Sequence, residues 1–248
     1  MIKFFRKIRQ RLVTENKFSK YFLYAIGEIL LVVIGILIAL QLNNLNEDRK
    51  IEVTRQGYYH QLLEDLNKDK IYIEKTISHF DSINNDINAY YETFKVPNLS
   101  IEQVLTNLFK LEIDKAITIR FNTNIIESLE NTGDIKIIPP VIRNKLSDLK
   151  RFQDRTIYIS DDTSGHQVDI LQLITLEVGS RTMSSRLTNQ PRLTELLKLE
   201  SKSDKLFIMM EAALTWKVSG ERTAISHLKK ILSDENILIN LITDELKK

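Results

Sequence analysis

The chain has 248 residues and almost balanced charge, 35 Lys and Arg against 33 Asp and Glu. Seven glycines and four prolines are too few for a sandwich or barrel of many short strands, each of which needs its own turn. A hydrophobic share of 43% excludes a disordered chain, and the absence of Cys excludes disulfides, zinc–thiolate sites, iron–sulfur clusters and a Cys nucleophile.

The balance hides a split. Residues 1–20 carry seven basic side chains against Glu15 alone, a net of +6, which leaves −4 for everything after them. Ile2, Phe5, Ile8 and Leu12 recur at helical spacing among Lys3, Arg6, Lys7, Arg9 and Arg11. This tip either lies as a basic amphipathic helix on an anionic lipid surface or serves only to set topology.

Residues 21–42 hold one ionisable carboxylate, Glu28, and fourteen of the 22 are Leu, Ile, Val or Phe. At about 1.5 Å per residue the segment reaches roughly 33 Å, enough to cross a bilayer core. The fourteen apolar side chains favour insertion by roughly 4 to 8 kcal/mol, against a cost of about 2.5 to 3.5 kcal/mol for a central carboxylate. The span is expected to be an uncleaved signal anchor, because its apolar region is long and no A-x-A-like site follows. The basic excess before it places the N-terminus in the cytoplasm and residues 43–248 in the periplasm of an inner-membrane, single-pass protein.

Within the span, Gly35 and Ala39 fall within about 20° of Glu28 on a helical projection, and Tyr24 and Val32 within about 40°. Gly35-x-x-x-Ala39 is a small-xxx-small pair that allows close helix approach. Tyr24, Glu28, Val32, Gly35 and Ala39 are therefore expected to form a transmembrane association face. The partner is a second copy of the chain or another membrane protein. The alternatives are that Tyr24 simply holds Glu28, or that Glu28 does proton-coupled work.

Beyond the span, Tyr59, Leu62, Leu66, Ile73, Ile77, Phe80, Ile83, Ile87, Tyr91 and Phe94 make a stripe close to a heptad seam. It predicts a long helix ending before Val96-Pro97. Ser100 and Gln103 form a capping box opening a helix to about Leu111. Ile117, Ile119 and Phe121 alternate briefly, as in a strand. A helix from about Thr123 ends at Gly133, Ile135–Ile138 is an extended link, and Pro139-Pro140 starts another helix. That helix is interrupted at Asp161–Gly165 and resumes over Val168–Val178. Gly179–Pro191 reads as a loop, and the chain is helical again from Leu193 to about Leu246, with a dip at Gly220. The expected fold is all-α, an up-and-down bundle after a single transmembrane helix, with at most a very short extended pair.

The segments Met1–Arg11, Glu15–Lys20, Tyr24-Ala25-Ile26-Gly27-Glu28 and Ile34–Asn44 resemble the opening of a Bacteroidota membrane-protein family, domain-of-unknown-function family 6090. Leu129–Ile135 is similar to a turn of that family, and Leu45 stands where the family has Trp. The specific part covers about a fifth of the chain. The resemblance implies an inner-membrane protein with a helical periplasmic region. It supplies no activity and no catalytic residue.

No phosphate loop, HExxH, G-x-S-x-G or paired-carboxylate signature is present. His60 with Glu64, and Asp161, Asp162, His166 and Asp169, are the densest ligand-type groups, more simply read as solvated side chains. Trp216 and the Met209-Met210 pair read as core. No catalytic residue, cofactor or metal is expected, and the small net charge points away from nucleic acid. The expectation is a non-enzymatic membrane-anchored scaffold or accessory subunit, with membrane lipids as its environment. The alternative is a sensor of periplasmic ligand or stress that signals through a membrane partner.

Overall fold

The computed structural model describes residues 18–116, 118–180, 182–198 and 200–247. Among these, helices are α1 (Phe18–Thr93), α2 (Ile101–Leu108), α3 (Asn124–Thr132), α4 (Pro140–Val178), α5 (Met183–Arg186), α6 (Pro191–Leu197) and α7 (Ser203–Glu245). Short 3-10 turns lie at Asp134–Ile137 and Glu200–Lys202. No strand occurs among the described residues, so the fold is all-α. The chain divides into two compact units, residues 1–57 and residues 58–248, each taken by itself below.

In the first unit the described residues are helical throughout. Its apolar side chains, from Phe22 to Leu45, are largely exposed within the chain. The basic tip at Lys3, Arg6, Lys7, Arg9 and Arg11 lies outside the described residues.

The second unit is a bundle of three long helices: α1 from Tyr58 onward, α4 and α7. Its seams follow a seven-residue repeat. On α1 the buried series are Tyr59, Leu66, Ile73, Phe80, Ile87 and Leu62, Asp69, Ile83, Tyr90. On α7 they are Met210, Lys217, Ala224, Ile231, Leu238 and Leu214, Glu221, Leu228, Glu235, Ile242. On α4, Leu146, Gln153, Ser160, Gln167 and Ile174 share one series. One apolar cluster gathers Leu62, Leu66, Leu146, Leu149, Leu228 and Ile242. A second gathers Ile87, Leu108, Ile113, Ile174, Met210 and Leu214. The shared neighbours show α1 and α4 running the same way, with α7 reversed. The path climbs α1, returns through residues 94–139, climbs α4 and descends α7.

Several local expectations hold with their chemistry. Ser100 Oγ accepts from the Gln103 N–H at 3.2 Å, and Gln103 Oε1 accepts from the Ser100 N–H at 2.9 Å, a complete capping box. Gly133 ends α3 in the left-handed region at φ 78°, where a Cβ is costly. Pro140 opens α4, its missing N–H costing nothing at that position.

Others are corrected. Ile135–Ile138 is largely a 3-10 turn, not an extended link. The helix over Asp161–Gly165 is uninterrupted, because its buried stripe continues as Ser160, Ser164 and Gln167 after the apolar residues stop. Gly220 lies buried inside an unbroken α7, but the predicted terminal helix is broken between α6 and α7. The expected loop after Gly179 contains the short α5. The seam on α1 passes through Tyr90, leaving Tyr91 and Phe94 exposed. Trp216 is exposed, its ring 4.6 Å from that of His166, while Met210 is core.

Candidate functional site

The residues expected to form an association face fall on the exposed, apolar part of α1, whose best window has a mean hydropathy of 2.5 and no buried residue. This is the one helix among the described residues long and apolar enough to cross a membrane. Val32 is 58% exposed, and Glu28 and Ala39 are exposed beside it. A Cβ placed on Gly35 would meet nothing within 4 Å, so the backbone there is open to a close neighbour. The helix that carries these positions is regular across 25–44, so the angular alignment of Glu28, Gly35 and Ala39 holds in the backbone. The Tyr24 backbone is helical, but its side chain lies outside the described residues.

The other candidate groups do not gather. His60 is exposed, and Glu64 pairs with Lys68 at 2.7 Å. That pairing holds the Glu64 carboxyl below its ordinary range. Asp161 faces Arg120 at 3.4 Å, and Asp162 lies 3.9 Å from His166. Among the described residues no three His, Asp or Glu side chains meet as a metal site would require.

What the sequence pattern did not reveal is a polar seam inside the bundle. It exists to serve the segment between α2 and α3. The described residues between 112 and 122 lie outside the helices and have no strand partner, so their backbone groups need other partners. Side chains supply them. Asp69, 1% exposed, accepts from the Asn122 backbone N–H at 3.0 Å and from its side-chain amide at 2.6 Å. Gln167 donates to the carbonyl of Ile113. Lys217, 2% exposed, donates to the Lys115 carbonyl at 3.0 Å and stands 3.0 Å from Glu221 Oε1 as an ion pair. Tyr72 donates to the Thr118 carbonyl at 3.2 Å. The brief alternation at Ile119 and Phe121 is thus a strap tied down by helix side chains. Ile119 is buried beneath it, and Ile117 lies outside the described residues.

The same burial moves the titration of the seam. Burial raises the carboxyls of Asp69 and Glu221, the latter against the pull of Lys217. Glu235 is pushed up to about 8 by burial and by the nearby charge of Asp69, with Gln153 donating to its Oε1 at 3.4 Å. His227, lowered by burial, sits against the Phe152 ring at 5.1 Å. The tied strap gives Asp69, Gln167 and Lys217 their hydrogen-bond partners.

No family model, no curated protein and no solved structure matches the chain. The resemblance of the opening segment to a Bacteroidota family therefore rests on those residues alone.

Proposed function

We propose that the chain is a non-enzymatic, membrane-anchored scaffold or accessory subunit that assembles through the Tyr24, Glu28, Val32, Gly35 and Ala39 face. In this reading it crosses the inner membrane once, its basic N-terminus is cytoplasmic and its helical domain is periplasmic. Its kinship lies with the family that its opening segment resembles. The observation that carries the proposal is the alignment of one carboxylate with two small residues on an exposed apolar helix. A carboxylate in a bilayer is costly unless it faces a partner or a polar interior, and small residues beside it let that partner's backbone come close.

The test is assembly in the membrane. Gly35→Leu fills the open position on the face, and Glu28→Leu removes the polar contact. Each is expected to shift the native-detergent mass toward the isolated chain while leaving helical content unchanged. Wild-type mass in both variants would count against the proposal.

A further inference from the structure

The stripe that carries Glu28, Gly35 and Ala39 does not stop at the end of the apolar span. Glu28, Val32, Gly35, Ala39, Leu42 and Asn46 follow one another at steps of 4, 3, 4, 3 and 4. That is the seven-residue repeat of a left-handed two-helix seam, along which two helices stay in contact instead of crossing once. α1 is unbroken through these positions, and all six residues are exposed within the chain. On a helical projection Asn46 returns to the angle of Glu28, 18 residues on and about 27 Å away. The stripe thus has a carboxyl group at one end, an amide at the other and two small residues between them. On the reading that the chain crosses the membrane once and associates through this face, we infer that its partner is a second copy of the same chain, lying parallel to it over residues 28–46.

The partner follows from self-complementarity. Every copy inserts under the same basic tip, so two copies in one membrane run parallel and identical residues meet at equal depth. The Asn46 amide both donates and accepts, so two facing Asn46 side chains satisfy each other. A single Asn at such a seam position also fixes the register of a parallel pair. At the other end, one carboxyl group donates to a second through a shared proton, so Glu28 complements Glu28. Between them Gly35 and Ala39 meet their own counterparts, and nothing bulky holds the backbones apart. An unrelated helix would have to match both polar groups at that same separation.

The charges beyond Asn46 set the limit of the contact. Arg49 and Lys50 flank the stripe on its two sides, within about 60° of it. Parallel copies bring these like charges together, so the helices part after Asn46.

The chain has no Cys, so a single introduced one reports on its own position. Leu42→Cys lies on the stripe and leaves both polar ends intact, whereas Asn44→Cys lies about 160° from Glu28. The intact protein is oxidised in native membranes with copper phenanthroline. Most of the Leu42→Cys chain should move to twice its mass of 28.9 kDa, and little of the Asn44→Cys chain should. Adding Gly35→Leu, or Asn46→Lys, which extends the basic cluster into the seam, should each lower the Leu42→Cys yield about fivefold. Equal yields at positions 42 and 44, or a position-42 yield unchanged by either added substitution, would overturn the inference. A Leu42→Cys chain that stays at 28.9 kDa while its native-detergent mass exceeds one chain would overturn it alone, because the face then holds a different protein. A wild-type native mass of one chain would overturn both this inference and the association on which it rests.

Discussion

Asp69 occupies a core position of a heptad seam, between Leu66 and Ile73. Its role is to accept both N–H groups of Asn122. Asp69→Ala leaves those donors without their partner and should cost about 1–3 kcal/mol. Faster amide exchange at Asn122, with the ends of α1 unaffected, is the expected readout. Glu235 presents the opposite case, a carboxyl whose burial is opposed only by a weak bond from Gln153 and the distant charge of Lys70. In the folded chain it keeps its proton up to about pH 8, whereas in the unfolded chain it releases it above its ordinary value of 4.5. The folded state thus binds more protons across that window, and stability falls as pH rises through it. The raised carboxyls of Asp69 and Glu221 act in the same direction, while the lowered His227 costs stability as pH falls below its ordinary value. Glu235→Gln should flatten the decline and stabilise the protein at pH 8, by up to roughly 4 kcal/mol. Thermal melting of the intact protein in detergent at pH 5, 6.5 and 8 measures it. An unchanged pH slope would sink this assignment.

At the scale of elements, the helices that announced themselves were those whose seams are apolar. The stripe from Tyr59 to Ile87 is legible because its seam positions, Asp69 and Thr76 aside, carry an apolar side chain. The capping box at Ser100, Gly133 and Pro140 were legible because each satisfies or removes specific backbone groups at a helix end. α4 was harder to follow. From Gln153 to Gln167 its buried positions are Gln, Thr, Ser, Ser and Gln, so the apolar period vanishes while the helix continues. Polarity there reflects two demands that no local pattern reveals: close packing against α7 and carbonyls of a distant strap. α4 and α7 are the most closely packed pair of elements, with Ser160 on one side and Ala213, Gly220 and Ala224 on the other all buried. Small residues permit that approach, so Ser160→Leu should overpack the seam. A loss of about 1–3 kcal/mol in denaturant unfolding is expected, and Ser160→Ala should cost far less. The angular alignment of Glu28, Gly35 and Ala39 was legible from residue spacing, since helical geometry alone sets which positions align. The cavity lined by Leu105, Ile113, Ile174 and Met210 was not legible, because its walls come from α2, the segment after it, the end of α4 and the start of α7, and only folding assembles them.

At the scale of the whole molecule, the near-neutral composition resolves into a basic tip, an apolar span and a helical domain whose buried charges are matched internally. Lys217 meets Glu221, and Glu235 holds its proton at neutral pH. The exposed pairs, such as Lys68 with Glu64 and Lys230 with Asp234, contribute little individually. The helical domain thus buries only Asp69, Lys217, Glu221 and Glu235 among its described charged side chains and keeps the others nearer solvent, while the apolar part of α1 is exposed within the chain. The proposed assembly rests on the Tyr24, Glu28, Val32, Gly35 and Ala39 face, and a cysteine-free chain suits a direct measurement of it. A photo-crosslinking side chain placed at Ala39 lies on the face, whereas one at Leu37 lies on the opposite side of the helix. Irradiation in native membranes should give a discrete adduct from position 39, and little from position 37. Equal yields at the two positions, or no adduct from position 39, would contradict the account.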